Sequence, residues 1–191
     1  MKKKIVVLIS GSGSNLQRII EAISNQEIQN AEISMVIADR ECYGAKRAES
    51  AGIPFHKIKR GTDFCSQLEA CLPPDTALIV LAGFLSLLSS DFCYNWRGKI
   101  INIHPSLLPK FGGKGMWGMH VHEAVKAAGD LETGATVHFV TPEVDAGEII
   151  LQGKVVVQPS DTPEDIAHKV HGVEYEIFPK AIEKLLKGWK E

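Results

Sequence analysis

Ile5-Val6-Val7-Leu8-Ile9-Ser10-Gly11-Ser12-Gly13-Ser14-Asn15-Leu16 decides the fold of this chain. Five consecutive aliphatic residues without alternation describe a strand covered on both faces, as in a parallel sheet whose crossovers place helices on either side. A glycine-serine turn ends the strand. Leu16, Ile19, Ile20 and Ile23 then recur at helical spacing through residues 15–24, so strand, tight turn and helix form the first half of a βαβ unit.

The alternation continues downstream. Residues 33–38 read as a second strand, 44–51 as a short helix stopped by Gly52, and 55–58 as a weaker third strand. Residues 77–82 and 99–103 give a fourth and a fifth strand. After a long loop and a helix over 122–128, residues 136–140 and 149–157 follow with no helix between them, the pattern of antiparallel strands at a sheet edge. Thr162-Pro163-Glu164-Asp165 combines an N-cap, a proline at the first helical position and an acidic first turn. The final helix starts there, carrying Ile166, Val170, Val173, Ile177, Ala181 and Leu185 on one stripe, and Pro179 is expected to kink it or divide it in two. The fold class is therefore α/β: a doubly wound, mostly parallel sheet with antiparallel edge strands and helices on both faces.

The 191 residues suit one domain, 1–191, able to bury a full core without disulfides or metals. A formal net charge of -2 gives no general attraction to nucleic acid or anionic membrane, so any anion site must be local. Cys42, Cys65, Cys71 and Cys93 show no C-x-x-C spacing and read as thiols of a reducing compartment. The apolar run after Met1-Lys2-Lys3-Lys4 is too short for a signal sequence, and nothing later approaches a membrane span. A cytoplasmic protein with neither nucleic-acid nor membrane partners is expected.

In open parallel sheets, ligands bind beyond the carboxyl ends of the strands. Three such ends carry site-like residues: Gly11 to Asn15, Gly83-Phe84, and Asn102 with His104. The first offers backbone N–H groups and hydroxyls at a helix N-terminus, a natural phosphate site, although Asn15 also suits a plain N-cap. Asp39, at the end of the second strand, stands where a dinucleotide-binding protein places its ribose-binding acid. However, Leu16 replaces the third glycine of that fingerprint, and no P-loop lysine is present. Asn102 and His104 lie two apart on a strand, so both project to one side and can converge on one carbonyl oxygen. Pro105 and Pro109 stiffen the chain that leaves them. His120 and His122 suggest a metal pair, but at the start of a helix two such residues do not share a face, and a capping or packing role is expected.

The segment Asn102-Ile103-His104-Pro105-Ser106-Leu107-Leu108-Pro109, with Gly11 to Asn15, Ala82-Gly83-Phe84 and Val140-Thr141-Pro142-Glu143-Val144-Asp145-Ala146-Gly147, resembles the phosphoribosylglycinamide formyltransferases of purine synthesis over essentially the whole chain. The first segment alone indicates the wider folate-dependent superfamily, which includes methionyl-tRNA and sugar-nucleotide formyltransferases. The phosphate loop directly after the first strand, the segment from His138 to Gly147 and the expected lack of an added domain narrow it. The resemblance implies that a formyl group passes from 10-formyltetrahydrofolate, as co-substrate, to the amine of glycinamide ribonucleotide in de novo purine (IMP) biosynthesis, with no metal.

It also implies residue roles. Asn102 donates to the developing oxyanion, His104 is the general acid, and Asp145 tunes His104. An ordinary histidine, with a pKa of about 6.5, is mostly neutral near pH 7, so an acid role calls for a carboxylate beside it. Gly13, Ser14 and Asn15 hold the substrate phosphate, and Glu174 contacts the glycinamide end. The folate lies against Leu85, Ser86, Leu87, Leu88, Asn102, Thr141, Pro142, Glu143, Val144 and Asp145. A monomer or weak homodimer is expected. The rivals are a sugar-nucleotide or methionyl-tRNA formyltransferase and a non-catalytic module that binds a phosphorylated metabolite. Two departures stand out. The loop Lys110-Phe111-Gly112-Gly113-Lys114-Gly115-Met116-Trp117-Gly118 is longer and richer in glycine than usual, as a lid with an aromatic tip would be. Ser86 stands where many relatives carry arginine, which removes a side-chain clamp from the folate tail.

Overall fold

The computed structural model describes residues 1–188. A seven-stranded sheet runs in the order β3-β2-β1-β4-β5-β6-β7, built from β1 (Lys3–Ile9), β2 (Ala31–Ala38), β3 (Phe55–Lys57), β4 (Thr76–Leu81), β5 (Ile100–His104), β6 (Glu132–Phe139) and β7 (Ile149–Val156). The pairs from β3 to β5 are parallel, and β5–β6 and β6–β7 are antiparallel, as the sequence pattern requires. Six helices connect or cover the strands: α1 (Ser14–Ser24), α2 (Gly44–Ser50), α3 (Phe64–Cys71), α4 (Ser90–Asn95), α5 (Met119–Ala128) and α6 (Pro163–Gly188).

The unbroken apolar run of β1 is explained by its two neighbours in depth. Ile5, Val7 and Ile9 pack into a layer with Leu16 and Ile19 of α1 and Val170, Ile177 and Phe178 of α6. Val6 and Leu8 point the other way, into a layer with Leu68 of α3 and Phe92 of α4. Burying one such side chain fully is worth about 1.5–3 kcal/mol, and all five are completely enclosed. Because β2 and β4 flank β1, the winding direction reverses between β1 and β4 and opens a crevice at their carboxyl ends. The two chains leaving it are tied together there: the Ser10 amide donates to the Gly83 carbonyl at 3.1 Å, and the Ala82 amide to the Leu8 carbonyl at 2.9 Å.

Three features depart from the sequence expectation. α3 and α4 carry no clear periodic signal, since α4 spans only six residues, held by the Ser89 hydroxyl accepting from the Phe92 amide at 3.3 Å. β6 begins at Glu132, four residues early, across Gly134. A Cβ on Gly134 would stand 1.9 Å from the Gly153 carbonyl oxygen, so the glycine that hides the strand in the sequence is what lets β6 approach β7. Finally, Pro179 does not divide the last helix, because α6 runs unbroken through it. A proline leaves the carbonyl four residues earlier without its amide. That carbonyl, on Tyr175, instead accepts from Arg18 Nε of α1 at 3.0 Å. The start of α6 follows expectation, with the Asp165 amide donating to the Thr162 hydroxyl at 3.2 Å and the Thr162 amide to Asp165 Oδ2 at 2.9 Å.

Candidate functional site

A cavity of about 830 Å³ opens at the carboxyl ends of β1, β4 and β5 and is closed on its far side by α6. Gly13, Ser14, Asn15, Leu85, Ser86, Leu87, Leu88, Asn102, His104, Thr141, Pro142, Glu143, Val144, Asp145 and Glu174 all line it. Every residue singled out from the sequence for binding or chemistry is thus brought to one place.

The turn after β1 is shaped by close approach. Gly13 has φ of +71°, and a Cβ on it would meet the Gly44 Cα at 2.7 Å, while a Cβ on Gly44 would meet Ile9 Cδ1 at 2.5 Å. Gly13 occupies the cap position of α1, and no side chain caps that helix. Its first amides and the positive end of its dipole therefore face the cavity with no side-chain cap among the described residues. Asn15 is not the cap but lies inside the first turn, where its Nδ2 donates to Glu174 Oε2 at 3.1 Å. Glu174 is buried, with His171 Nε2 at 3.6 Å from the same oxygen. Burial pushes its carboxyl up to about 7, against the opposing effect of the Asn15 hydrogen bond.

At the end of β5, pairing with β6 sets the chemistry. Asn102 lies opposite His138, and His104 opposite Thr136. His138 Nδ1 donates to the Phe139 carbonyl at 2.8 Å, so its Nε2 carries the lone pair that accepts from Asn102 Nδ2 at 3.2 Å. Burial holds His138 below the ordinary histidine value, which keeps it in this neutral, accepting form. The Asn102 amide is thereby oriented, with its second N–H left for another acceptor.

His104 Nε2 lies 2.8 Å from the Phe111 carbonyl, which can only accept, so this nitrogen carries a proton. Nδ1 stands 3.4 Å from Asp145 Oδ2. Asp145 is held in a left-handed conformation, with φ of +55°. Its Oδ2 accepts the Gly113 amide at 3.0 Å, and its Oδ1 lies 3.7 Å from His138 Nε2. Gly147 lets the loop fold this tightly, since a Cβ there would fall 1.8 Å from the Phe139 carbonyl oxygen. The proline-bounded loop is pinned from β6, where Thr136 Oγ1 donates to the Ser106 carbonyl at 2.7 Å and accepts the Leu108 amide at 3.1 Å.

Asp39 is not a free ribose acceptor. Its fully enclosed carboxylate accepts from Arg40 Nε at 2.9 Å, Arg60 Nε at 2.7 Å and Ser86 Oγ at 2.6 Å. Arg40 and Arg60 line the cavity beside Leu85 to Leu88, and sequence reasoning missed both because only the fold brings the turn after β2 and the loop after β3 together. His122, for which the sequence suggested only a capping or packing role, also lines the cavity. It is buried in the cavity wall, held down to about 4 by burial and by the neighbouring His171 and His104. His120 faces outward, against Trp117 and Glu123, so the two histidines do separate as the helical spacing requires. Among the described residues, no three His, Cys, Asp or Glu side chains are grouped to hold a metal, and no helix is long and apolar enough to cross a membrane.

A family profile described as formyl transferase matches residues 3–182. The phosphoribosylglycinamide formyltransferase of Haemophilus influenzae is 42% identical over 97% of this chain and 88% of that protein. A trifunctional purine biosynthetic protein of Bos taurus is also 42% identical over 98% of this chain, which spans only 19% of that relative's length. The crystal structure of the phosphoribosylglycinamide formyltransferase from Anaplasma phagocytophilum superposes with a TM-score of 0.89 at 37% identity, covering 100% of this chain and 90% of that one. The chain belongs to the formyl transferase family, among its phosphoribosylglycinamide formyltransferases.

Proposed function

We propose that this chain, acting as one catalytic domain over 1–191, transfers the formyl group of 10-formyltetrahydrofolate to the amine of glycinamide ribonucleotide. The observation that carries the reading is the convergence of Asn102, His104 and Asp145 on the cavity that also receives the uncapped N-terminus of α1. A phosphate at that N-terminus is favoured by unpaired amides and the helix dipole. A volume of about 830 Å³ lies high in the usual range for ligand sites, as two substrates side by side require.

The amine nitrogen attacks the formyl carbon, and the carbonyl π electrons move onto oxygen. The free N–H of Asn102 and the His104 imidazolium meet that charge in a partly enclosed site. Nε2 of His104 is committed to the Phe111 carbonyl, so the proton that comes and goes is the one on Nδ1, beside Asp145 Oδ2. Collapse of the intermediate re-forms the carbonyl, breaks the bond to folate nitrogen, and sends the Nδ1 proton to that leaving nitrogen. The attacking nitrogen loses its own proton to water or to Asp145. No step calls for a metal. Arg40 and Arg60, which share the single Asp39 carboxylate, leave net positive charge in the cavity lining near Ser86, which suits an anionic folate tail. We place the activity in the cytoplasm, on small molecules rather than nucleic acid or membrane, in a monomer or weak homodimer.

The test is a panel of acceptors offered with 10-formyltetrahydrofolate: glycinamide ribonucleotide, an amino-sugar nucleotide and charged initiator tRNA. Tetrahydrofolate release with the first alone is expected. Release with either of the others, or with none, contradicts the reading.

A further inference from the structure

The glycine turn after β1 is held from outside the cavity by α2. The two approach so closely that a Cβ on Gly13 would stand 2.7 Å from the Gly44 Cα and 3.3 Å from Arg47 Cδ. Two consecutive carbonyls of the turn are taken up by this helix. The Gly44 amide donates to the Gly11 carbonyl at 3.1 Å, and Arg47 Nε donates to the Ser12 carbonyl at 2.9 Å. In a planar trans peptide the C=O and the N–H that follows it point in opposite directions. Turning the carbonyls of residues 11 and 12 toward α2 therefore turns the amides of Ser12 and Gly13 away from it, and both residues line the cavity. Consecutive amides aimed to one side make the kind of concavity that receives a phosphate, and the left-handed backbone of Gly13, with φ of +71°, belongs to such a concavity.

Of the two contacts, the one from Arg47 is made by a side chain and is open to substitution. The guanidinium is itself well fixed: Nη1 donates to Gln17 Oε1 of α1 at 3.3 Å, and the group lies 5.2 Å from the centre of the Tyr43 ring. A planar head that meets Ser12, Gln17 and Tyr43 together is a property of arginine, which lysine does not share.

We propose that Arg47 is a positioning residue for the phosphate of the acceptor substrate: by holding the Ser12 carbonyl against α2 it presents the Gly13 amide to that phosphate. The proposal rests on the formyl-transfer reading for the identity of the acceptor, and it adds a residue outside the cavity lining that sets affinity for the phosphorylated end.

Two assays on the full chain test it. A binding titration with ribose 5-phosphate needs no turnover, so it remains informative if the formyl-transfer reading fails. Arg47→Met should raise the Kd about tenfold, the equivalent of one lost hydrogen bond to the phosphate. Steady-state kinetics then vary each substrate in turn, and wild-type turnover of glycinamide ribonucleotide checks the underlying reading separately from any variant. In Arg47→Met the KM for that acceptor should rise about tenfold, while kcat and the KM for the folate stay within about twofold. Arg47→Lys keeps the charge without the planar head, so its acceptor KM should remain at least about threefold above wild type. Circular dichroism identifies a variant that fails to fold, in which case Arg47→Gln takes its place. A Kd for ribose 5-phosphate within about twofold of wild type in folded Arg47→Met overturns the proposal, as does a wild-type chain that does not bind the sugar phosphate. So does an equal rise in both KM values, the mark of a site loosened in general. Full recovery in Arg47→Lys would assign the effect to charge alone, and overturns it as well.

Discussion

In the proposed mechanism, the Phe111 carbonyl decides which nitrogen of His104 takes part in chemistry. By holding Nε2 at 2.8 Å it leaves Nδ1, which faces Asp145 at 3.4 Å, as the nitrogen open to the proposed proton transfer. That distance is long for a hydrogen bond. It leaves room for the reacting oxygen to approach without displacing a tight pair. Asn102 is prepared differently, by an antiparallel partner, His138, whose neutral ring turns the amide N–H toward the cavity. Removing one oxyanion donor typically costs about 100- to 1000-fold in turnover. Asn102→Ala and His104→Ala should each lower kcat by that order in the tetrahydrofolate-release assay, with folding intact by circular dichroism, and near-normal turnover in both would remove the assigned chemistry. His138→Phe tests the tautomer argument. It deprives the amide of its acceptor, so kcat should fall on the order of tenfold, while the KM for either substrate moves little. A variant with unchanged kcat would mean that Asn102 orients itself.

Elements are held in place here by small residues and by one misplaced carbonyl. Gly147 is required because its Cβ would collide with the Phe139 carbonyl, and the collision would push out the loop that carries Asp145. Gly147→Ala should therefore lose activity more than stability, which comparison of kcat with the Tm would reveal. On α6, Arg18 replaces the amide that Pro179 cannot supply to the Tyr175 carbonyl. Arg18→Met should cost roughly 1–2 kcal/mol in urea unfolding, part of it through the lost ion pair with Glu27. In a Pro179→Ala background the Tyr175 carbonyl regains its own amide, so the same substitution should cost less. Equal costs in the two backgrounds would show that Arg18 does not compensate for the proline. This coupling also explains why the continuation of the helix past Pro179 could not be read from sequence. Local rules give its effect on a helix, but the offsetting partner, Arg18, lies 157 residues before the carbonyl it satisfies. By contrast, β1 was legible at once, since burial on both faces leaves a compositional mark on consecutive residues.

Across the whole molecule, the cavity couples stability to pH with two opposing signs. Glu174 has a folded value of about 7 against an ordinary 4.5. Below pH 4.5 the folded and unfolded chains both hold that proton, and between 4.5 and 7 only the folded chain does. Folding thus loses support as pH rises through this window, by on the order of 3 kcal/mol when complete. His122 works the other way. Its folded value of about 4, against 6.5, means that the unfolded chain takes up a proton first, so stability falls as pH drops from 6.5 toward 4. Thermal melting from pH 4.5 to 8.5 should show Glu174→Gln gaining on wild type steadily up to about pH 7, and a constant difference would contradict the buried, raised carboxyl. The residues behind these effects divide by legibility. Asn102, His104 and the glycine turn stood out because strand periodicity and helix-terminus chemistry act over a few neighbours. His138, Arg40 and Arg60 did not, because each acquires its place in the cavity only from elements far away in the chain. The proposed reaction requires that a formyl carbon and an amine meet between residues 102 and 104. A crystal structure with glycinamide ribonucleotide and a non-transferring formyl-folate analogue measures it directly. The prediction is an amine nitrogen about 3–3.5 Å from the formyl carbon, with the formyl oxygen in hydrogen-bond reach of Asn102 Nδ2 and the phosphate on the α1 N-terminus. A formyl group bound beyond reach of both side chains, or a phosphate held elsewhere, would contradict it.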